Sequence, residues 1–193
     1  MKFTYPEGAT PVDADEVAAL IPPHITLQRE LNEWEEANIL EAVTWANTSR
    51  QSDLLSPAYL NELHKRMFNH TWKWAGTYRQ SDKNIGGSWY RIREDIHNLC
   101  EDTKLWINDR TYPPDEITLR FHHRLVLIHS YPNGNGRHAR IMADLLITSQ
   151  GGTFFSWGQA NLAEEGQARR LYINALQAAD HGNIKPLLVF ARS

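Results

Sequence analysis

The chain is poor in cysteine and has no long apolar run. Its 193 residues include a single cysteine, so no disulfide can form within the chain. We expect Cys100 to be a small buried residue of a reducing compartment. No uninterrupted apolar stretch approaches the ~18 residues that a membrane span needs, and the first residues lack the apolar segment of a signal peptide. These absences predict a cytoplasmic protein with no membrane partner.

An excess of positive charge is also lacking. Lys and Arg together number 20 and Asp and Glu 23, which gives a net charge of −3 with no strongly basic block. Such a chain lacks the cluster of basic residues that binds nucleic-acid phosphates, so we expect no direct nucleic-acid binding. With 41% hydrophobic and 22% charged residues, the composition is that of an ordinary globular protein. We expect residues 1–193 to form one domain.

Apolar spacing predicts helices along most of the chain. Prolines and the acidic stretch 13–16 mark an N-terminal arm at residues 1–25, and helical periodicity follows it. Serine followed by proline at 56–57 is typical of a helix start, and further helices are expected from about 91, from 115 to 129 and from 137 to 148. Strand is plausible only in the glycine-rich stretch 83–87. The predicted fold class is therefore all-α.

The most informative segment runs from residue 129 to residue 140 and reads His-Ser-Tyr-Pro-Asn-Gly-Asn-Gly-Arg-His-Ala-Arg. Gly134 and Gly136 let the main chain turn sharply into a helix, whose N-terminal N–H groups attract anions. Arg137 and Arg140 lie on neighbouring turns of that helix, and their forked donors suit phosphate oxygens. His129 precedes the loop, and a histidine pKa near ~6.5 suits a general base. This combination points to chemistry on a polyphosphate.

The same segment resembles the signature of Fic proteins, which reads His-x-Phe-x-(Asp/Glu)-Gly-Asn-Gly-Arg-x-x-Arg. Tyr131 replaces the Phe conservatively. The resemblance implies an all-α, Fic-type helical core at about residues 38–193, with a short β-hairpin flap over the active site. It also implies transfer of AMP from ATP to a Ser, Thr or Tyr hydroxyl of a target protein, with a histidine as general base.

Carried over position by position, the resemblance implies a role for each matching residue. His129 is the implied catalytic base. In the family the two glycines form a main-chain anion hole, the Asn contacts the α-phosphate, and the two Arg contact the β- and γ-phosphates. The implied nucleotide-binding residues of this chain are Gly134, Asn135, Gly136, Arg137 and Arg140.

Asn133 departs from the family pattern, because an acidic residue that holds Mg²⁺ normally stands at this position. Magnesium prefers carboxylate and phosphate oxygens, although an Asn carbonyl can serve as a neutral ligand when phosphates and waters supply the rest. We expect ATP with Mg²⁺ or Mn²⁺ as cofactors, Asn133 as a weakened metal ligand, and slower transfer as the consequence.

Two other segments extend the resemblance. Residues 74–87 resemble the approach to the Fic flap, which pairs with the target's backbone by strand addition. The implied target-binding residues are Lys83, Asn84, Ile85 and Gly86. Residues 171–176 resemble the closing helix of the core. Length and arrangement resemble a bacterial subgroup called mobile mystery protein B, often found beside a helix-turn-helix protein. The expected partners are thus ATP, a target protein, and a small helix-turn-helix or inhibitory companion.

Many Fic proteins are inhibited by a helix that carries (Ser/Thr)-x-x-x-Glu-(Gly/Asn), whose glutamate pairs with the second arginine of the signature. Residues 26–31 match all but the last position, which makes Glu30 a candidate inhibitory partner of Arg140. Residues 161–166 match all but the first position. For both segments we favour the alternative of a solvated acidic helix face, because Asp and Glu are common at helix starts.

Three other interpretations of the sequence are weaker. Residues 134–139 fit the dinucleotide pattern G-x-G-x-x-A, but no acidic residue follows about ~20 positions later and no βαβ alternation surrounds it. The histidines at 122, 123, 129 and 138 suggest a metal site, although partners in the backbone or surface water are favoured. The seven tryptophans are expected mostly in the core, with Trp89, Tyr90 and Trp157 as candidate contacts for nucleotide or target.

The sequence therefore predicts a protein adenylyltransferase. The alternative is a weakened Fic-like module that binds nucleotide or a partner without turnover, as part of a pair similar to a toxin and its antitoxin, with Asn133 as the cause. Transfer of a different phosphate-containing group also stays open, because the predicted anion site would bind phosphates and would not recognise the nucleobase.

Overall fold

The computed structural model describes residues 13–25, 27–48, 53–159, 162 and 166–193. Within these ranges the chain forms helices joined by turns, with one isolated β-bridge between Leu20 and Trp72. The helices are α1 (Ala14–Val17), α2 (Gln28–Thr48), α3 (Pro57–Phe68), α4 (Ile92–Asn108), α5 (Pro114–Ile128), α6 (Asn135–Ser149), α7 (Gln167–Asp180) and α8 (Lys185–Arg192). Short 3₁₀ turns cover Trp89–Arg91 and Trp157–Gln159. The all-α prediction is confirmed, while residues 1–12 of the predicted arm lie outside the described ranges.

Helix α3 shows why the sequence signals were reliable in this region. The Ser56 hydroxyl accepts a hydrogen bond from the Tyr59 N–H at 3.2 Å, and Pro57 occupies the first helical position. The cap satisfies one N–H that the helix cannot use, and proline there lacks an N–H to satisfy. Leu60 and Leu63 on the following turn are completely buried. The predicted helix start is confirmed.

The interior consists of two apolar clusters that meet at α5 and α6. The first contains residues of α2, α3, α4, α5 and α6, such as Phe68 and Leu99. The second contains residues of α5, α6, α7 and α8, such as Leu187. Helix α6 faces both clusters, because Met142 belongs to the first and Ala143 to the second. The helix that follows the glycine loop is therefore held by close packing on two sides, which fixes the position of its N-terminus.

Cys100 and the tryptophans test the predictions about burial. Cys100 is fully buried in α4, and burial raises the pKa of its thiol to about 12, which leaves it an inert core residue. Trp72 and Trp157 are buried, whereas Trp34 and Trp89 are exposed. Trp157 is thus a core residue and not a surface contact, because its indole packs in the second cluster. No helix in the described ranges combines the length and apolar character that crossing a bilayer requires.

The described part of the N-terminal arm packs against the segment that follows α3. The Ile21 N–H donates to the Thr71 carbonyl at 2.9 Å, and the Lys73 N–H donates to the Ala19 carbonyl at 2.9 Å. The Trp74 indole N–H donates to the carbonyl of Glu16 at 3.3 Å. These main-chain contacts dock residues 16–21 on the core next to the predicted flap.

The predicted β-hairpin flap is not present among the described residues. Residues 80–88 form bends and irregular stretches, followed directly by the 3₁₀ turn at Trp89–Arg91. Their polar groups bond to side chains instead of to a second strand. The guanidinium of Arg79 donates hydrogen bonds to the carbonyls of Ser81 and Gly87. The Asp82 carboxylate accepts a hydrogen bond from the Trp89 N–H at 2.8 Å. Side chains thus bind two carbonyls and one N–H at the two ends of the segment, where the strands of a hairpin would pair.

We predict that the protein loses stability between pH 6.5 and pH 4. Burial lowers the pKa of His122 to about 3, of His129 and His138 to about 4, and of His64 well below its ordinary value. Below pH ~6.5 the unfolded chain binds protons at these positions and the folded chain does not. Each such histidine then lowers the free energy of unfolding by ~1.4 kcal/mol per pH unit of acidification. Urea unfolding across this range measures the slope, and a flat profile would contradict the prediction.

Candidate active site

The predicted base and the predicted anion site lie at facing ends of two consecutive helices. Helix α5 ends at His129, whose φ of 54° and ψ of 59° are left-handed. Helix α6 begins after Gly134, which has a φ of 79° and caps its N-terminus. The first hydrogen bond of α6 runs from the His138 N–H to the Gly134 carbonyl at 2.9 Å. The N–H groups at the start of α6 precede that bond and have no partner within the helix, as the predicted anion site requires.

His129 is buried and is held in its neutral form. Burial and the cation of Arg79 lower its pKa to about 4, and Lys83 adds to the effect, whereas the carbonyl of Val126 opposes it. The imidazole is only 7% exposed. A neutral imidazole can accept a proton at pH 7, which is the state that a general base needs.

The two signature glycines have different roles. A Cβ atom at Gly134 would lie 2.4 Å from Cζ of Phe68, and the φ of +79° also disfavours any other residue. A Cβ at Gly136 would meet nothing closer than Nη1 of Arg140, at 3.7 Å. Gly134 is therefore required by the fold itself. Gly136 leaves space beside the helix N-terminus, close to the guanidinium of Arg140.

The two signature arginines are held by neighbouring rings and by a carboxylate. The Arg137 guanidinium lies 5.0 Å from the ring centroid of Phe68, and its Nη1 forms an ion pair with Oε2 of Glu35 at 2.7 Å. The Arg140 guanidinium lies 5.5 Å from the ring centroid of Tyr172. Both cations are thus oriented by cation–π contacts on the helix that bears the anion site.

Glu35 is a residue of the site that sequence reasoning missed. It lies on α2 and is 5% exposed, and its Oε1 accepts the indole N–H of Trp72 at 2.6 Å. A carboxylate is rarely buried unless it is paired, and here Arg137 is its partner. A signal was present, because Glu35 falls four residues after Leu31 and three before Asn38 on the buried stripe of α2.

The side chain of Asn135 braces the loop from within. Its Oδ1 accepts the Tyr131 N–H at 2.9 Å, and its Nδ2 donates to the Tyr131 carbonyl at 2.8 Å. The side chain faces the loop in this arrangement, so the predicted contact between Asn135 and the α-phosphate stays a prediction. Tyr131 is fully enclosed, and its hydroxyl donates to Oδ1 of Asn61 at 2.8 Å. The tyrosine that replaces the family's Phe therefore has a partner for its extra polar group.

His64 of α3 supports the loop from the protein interior and is a second residue that sequence reasoning missed. Its Nδ1 accepts the Gly76 N–H at 3.0 Å, which leaves the proton on Nε2. That Nε2 lies 3.1 Å from the Asn133 carbonyl, to which it donates. The ring is fully buried and stacks on Tyr131 with ring centroids 3.6 Å apart. Its pKa lies well below the ordinary value because of burial, so this neutral tautomer persists across the physiological range.

Asn133 provides one neutral oxygen at the mouth of the anion site. Its Oδ1 lies 2.6 Å from the N of Gly134 and 3.5 Å from Nη2 of Arg137. An oxygen that faces two donors is a weaker ligand for a hard cation than a carboxylate. Within the described ranges no group of three or more His, Cys, Asp or Glu side chains is arranged to hold a metal ion. The side chain fits Mg²⁺ as a single ligand, with phosphate and water oxygens needed for the rest.

The histidines that suggested a metal site have separate partners. The Nε2 of His122 lies 3.0 Å from the Tyr172 hydroxyl, and the Nε2 of His123 lies 2.7 Å from the Asp180 carboxylate. The Nε2 of His138 lies 3.0 Å from the carbonyl of Leu60. These contacts point to the interior, to the surface and to the backbone, and so they do not converge on one ion.

Of the four predicted target-binding residues, Gly86 lies directly beside His129, although not in a hairpin. Gly86 has a φ of +101°, and a Cβ there would lie 2.7 Å from Cβ of His129. The side chain of Lys83 is only 4% exposed, with its Nζ 2.5 Å from Oδ2 of Asp13 and 2.7 Å from Oε2 of Glu16. Asn84 is exposed and Ile85 half-buried. Target binding by these residues stays a prediction.

The candidate inhibitory glutamate has a local contact. Oε2 of Glu30 accepts the Leu27 N–H at 3.1 Å and so caps the start of α2. Its pairing with Arg140 stays a prediction. Thr26 of the same pattern, and the glutamates of the second match at 164 and 165, lie outside the described residues.

The described geometry agrees with comparisons to known proteins. Residues 54–147 match the model of the Fic/DOC family. Over these residues the resemblance to Fic proteins seen in the sequence is confirmed, while membership of the mobile mystery protein B subgroup stays a prediction.

Relatives and solved structures extend the likeness beyond the domain. "Protein adenylyltransferase Fic" from Aedes aegypti is 26% identical over 149 residues, which is 75% of this chain and 28% of the relative. The protein of the same name from Nematostella vectensis is 26% identical over 156 residues, 78% of this chain and 35% of that protein. The chain thus spans about a third of the length of these relatives.

Two solved structures share the fold over nearly the whole chain. Fic-1 from C. elegans superposes with a TM-score of 0.69 at 22% identity, covering 91% of this chain and 51% of that one. BepC from Bartonella tribocorum, with bound AMPPNP, gives a TM-score of 0.69 at 16% identity and covers 93% of this chain and 97% of that one. At these identities the likeness establishes the Fic fold.

We predict that Gly136→Ala leaves the fold intact and weakens ATP binding by about tenfold or more, because its methyl group occupies space at the helix N-terminus where phosphate oxygens bind. Isothermal titration calorimetry measures the affinity, and thermal unfolding measures the stability. Gly134→Ala is the contrast, since its Cβ meets the ring of Phe68 and its positive φ is strained. We expect that variant to lose stability. Equal stability losses in the two variants would contradict the assignment.

We predict that Glu35→Gln strengthens ATP binding by about tenfold, or ~1.4 kcal/mol, because it removes the negative charge that faces Arg137 and keeps an oxygen for the Trp72 indole. Glu35→Ala removes that oxygen as well, and we expect it to cost ~1–3 kcal/mol of stability through the buried, unpaired indole N–H. Calorimetry and urea unfolding separate the two effects. An ATP affinity unchanged or lowered in Glu35→Gln would mean that the carboxylate orients Arg137 instead of competing with phosphate.

Proposed function

We propose that this protein transfers AMP from ATP to a Ser, Thr or Tyr hydroxyl of a target protein. The observation that carries the proposal is the neutral, buried His129 beside the open helix N-terminus at Gly136, with Arg137 and Arg140 on the same helix. A base, an anion site and two cations are the parts that nucleotidyl transfer needs. The relatives named protein adenylyltransferase support this reaction over transfer of another phosphate-containing group.

In the proposed reaction the target hydroxyl oxygen attacks the α-phosphorus of ATP. A new P–O bond forms to the target, and the bond from the α-phosphorus to the bridging oxygen breaks. The hydroxyl proton passes to the imidazole of His129, and pyrophosphate leaves with the electron pair of the broken bond. The target then carries AMP, so atoms and charges balance without a further reactant.

The remaining groups hold the triphosphate during this displacement. The N–H groups at the start of α6 bind the α-phosphate, since the absence of a side chain at Gly136 lets its oxygens approach the main chain. Arg137 and Arg140 take the outer phosphates with their forked donors. To bind phosphate, Arg137 must either leave the carboxylate of Glu35 or contact both anions at once. Either change lowers the affinity for the nucleotide.

The proposal includes Mg²⁺ or Mn²⁺ as the metal, with Asn133 as one ligand beside phosphate and water oxygens. When bound, the ion neutralises phosphate charge and polarises the bond that breaks. An amide oxygen holds it less firmly than a carboxylate. We propose that the reaction takes place in a bacterial cytoplasm, where ATP and Mg²⁺ are both supplied.

A second candidate function is a nucleotide- or partner-binding module without turnover. Two observations favour it, namely the amide at position 133 and the ion pair that already occupies Arg137. AMPPNP bound to the similar BepC supports nucleotide binding as the property that both candidates share. A small helix-turn-helix or inhibitory companion is the partner proposed for this module.

We predict that the wild-type protein transfers AMP and that His129→Ala lowers the rate by ~10²–10⁴-fold while ATP still binds. The purified protein is incubated with ATP and Mg²⁺ or Mn²⁺, with and without bacterial lysate. Intact mass detects AMP on the protein itself, and α-labelled ATP detects it on lysate proteins. We expect Asn133→Asp to transfer faster than wild type. No label from wild type or from Asn133→Asp, together with tight ATP binding, would favour the binding module.

A further inference from the structure

Arg79 forms the densest set of contacts around the base. Its side chain has no exposed surface, although it carries a charge. Nε donates to the His129 carbonyl at 2.6 Å and Nη1 to the Ser81 carbonyl at 2.7 Å. Nη2 donates to the carbonyl of Gly87 and, at 3.5 Å, to that of Ile128. One guanidinium thus joins the end of α5 to both sides of residues 82–86.

The contacts fall where the backbone needs support. His129 adopts a left-handed conformation, which residues other than glycine adopt only at a cost and which the surroundings must therefore hold. The carbonyls of Ile128 and His129 both bond to Arg79, and the Arg79 N–H donates to the next carbonyl, that of Ser130, at 2.9 Å. Three consecutive carbonyls around the base are therefore bound by one residue.

Gly86 brings the segment into direct contact with the base. A Cβ atom there would lie 2.7 Å from Cβ of His129 and 2.9 Å from Nη2 of Arg79. A Cβ atom added at Gly87, the next residue, would have no neighbouring atom within 4 Å. The close approach is therefore specific to Gly86, and it leaves no gap between the base, the guanidinium and the segment.

We infer that Arg79 is the positioning residue of the proposed reaction, whose guanidinium locks His129 and residues 82–86 into one rigid unit. The inference rests on the proposed function, because its consequence is that a target aligned by this segment arrives at a fixed distance from the base. Only arginine suits the role, since its five N–H donors lie in one plane and reach several carbonyls at once. A lysine ammonium keeps the charge but cannot bridge the same set.

The charge of Arg79 affects the pKa of His129, which can be measured without any catalysis. The charged groups that act on His129 are Arg79 and Lys83, which both lower its pKa, and the carbonyl of Val126 opposes them. Arg79→Met removes one cation, so the pKa of His129 is expected to rise from about 4. Arg79→Lys keeps a cation, so a smaller rise is expected. The order of these pKa values reports the proximity of the charge at position 79 to the imidazole, so it tests the geometry whether or not AMP is transferred.

The experiment compares Arg79→Met, Arg79→Lys and Gly86→Ala with wild type, and Gly87→Ala serves as the matched control. NMR titration gives the pKa of His129, calorimetry gives ATP affinity, circular dichroism and thermal unfolding report the fold, and labelled ATP gives the transfer rate. We expect ATP affinity within about threefold of wild type in every variant, because Arg79 contacts none of residues 134–140. Displacement of the base by ~1 Å is expected to lower transfer ~100-fold in both Arg79 variants and in Gly86→Ala, and Gly87→Ala is expected to behave as wild type.

Two results would overturn the inference. One is a folded Arg79→Met or Gly86→Ala variant with a wild-type transfer rate and an unchanged His129 titration. The other is an equal loss of transfer in Gly86→Ala and Gly87→Ala. If Arg79→Met does not fold, the transfer rates and His129 titrations of Arg79→Lys and Gly86→Ala test the inference. If wild type transfers no AMP, the proposed function fails. The NMR titration, with hydrogen exchange of the amides of residues 81–87, then still tests whether Arg79 ties the base to the segment.

Discussion

The turn between α5 and α6 is the constraint on which the site depends. Five residues separate the last residue of one helix from the cap of the next, and both ends of that turn have positive φ. Each end makes one helical hydrogen bond, from the His129 N–H to the Leu125 carbonyl and from the His138 N–H to the Gly134 carbonyl. The His129 end is secured by Arg79, and the Gly134 end by contact with Phe68. Packing of α6 against two apolar clusters then holds the candidate base, His129, at a fixed position relative to the N-terminus of α6.

Charge compensation links the site to the rest of the fold. Two cations of this region have carboxylate partners from distant parts of the chain: Arg137 has Glu35 of α2, and Lys83 has Asp13 and Glu16 of the arm. Such pairing lets a cluster of positive charge exist in the folded protein before a nucleotide arrives. Neutral histidines add no charge to it, because burial keeps their pKa values low.

The sequence was sufficient for the helices, the motif and the family, because these follow from local patterns. The serine and proline at the start of α3 act through their immediate neighbours, and the positive φ of Gly134 is a local property of the turn before α6. Glu35 and His64 were missed because their roles arise from contacts 102 and 69 residues apart in the chain. The hairpin was expected from the resemblance of residues 74–87 to the Fic flap, but the buried guanidinium of Arg79 binds the carbonyls of Ser81 and Gly87. A sequence motif does not reveal which groups compete for a carbonyl.

The docked arm gives the active-site region a dependence on residues far from the motif. Two carboxylates, Asp13 and Glu16, enclose the Lys83 ammonium, and they raise its pKa against the opposing effect of burial. The amine is therefore both charged and shielded, which makes it a poor nucleophile towards acylating reagents. Truncation past residue 16 removes both of these negative charges from the neighbourhood of the candidate active site. The reactivity of Lys83 thus reports whether the arm is in place.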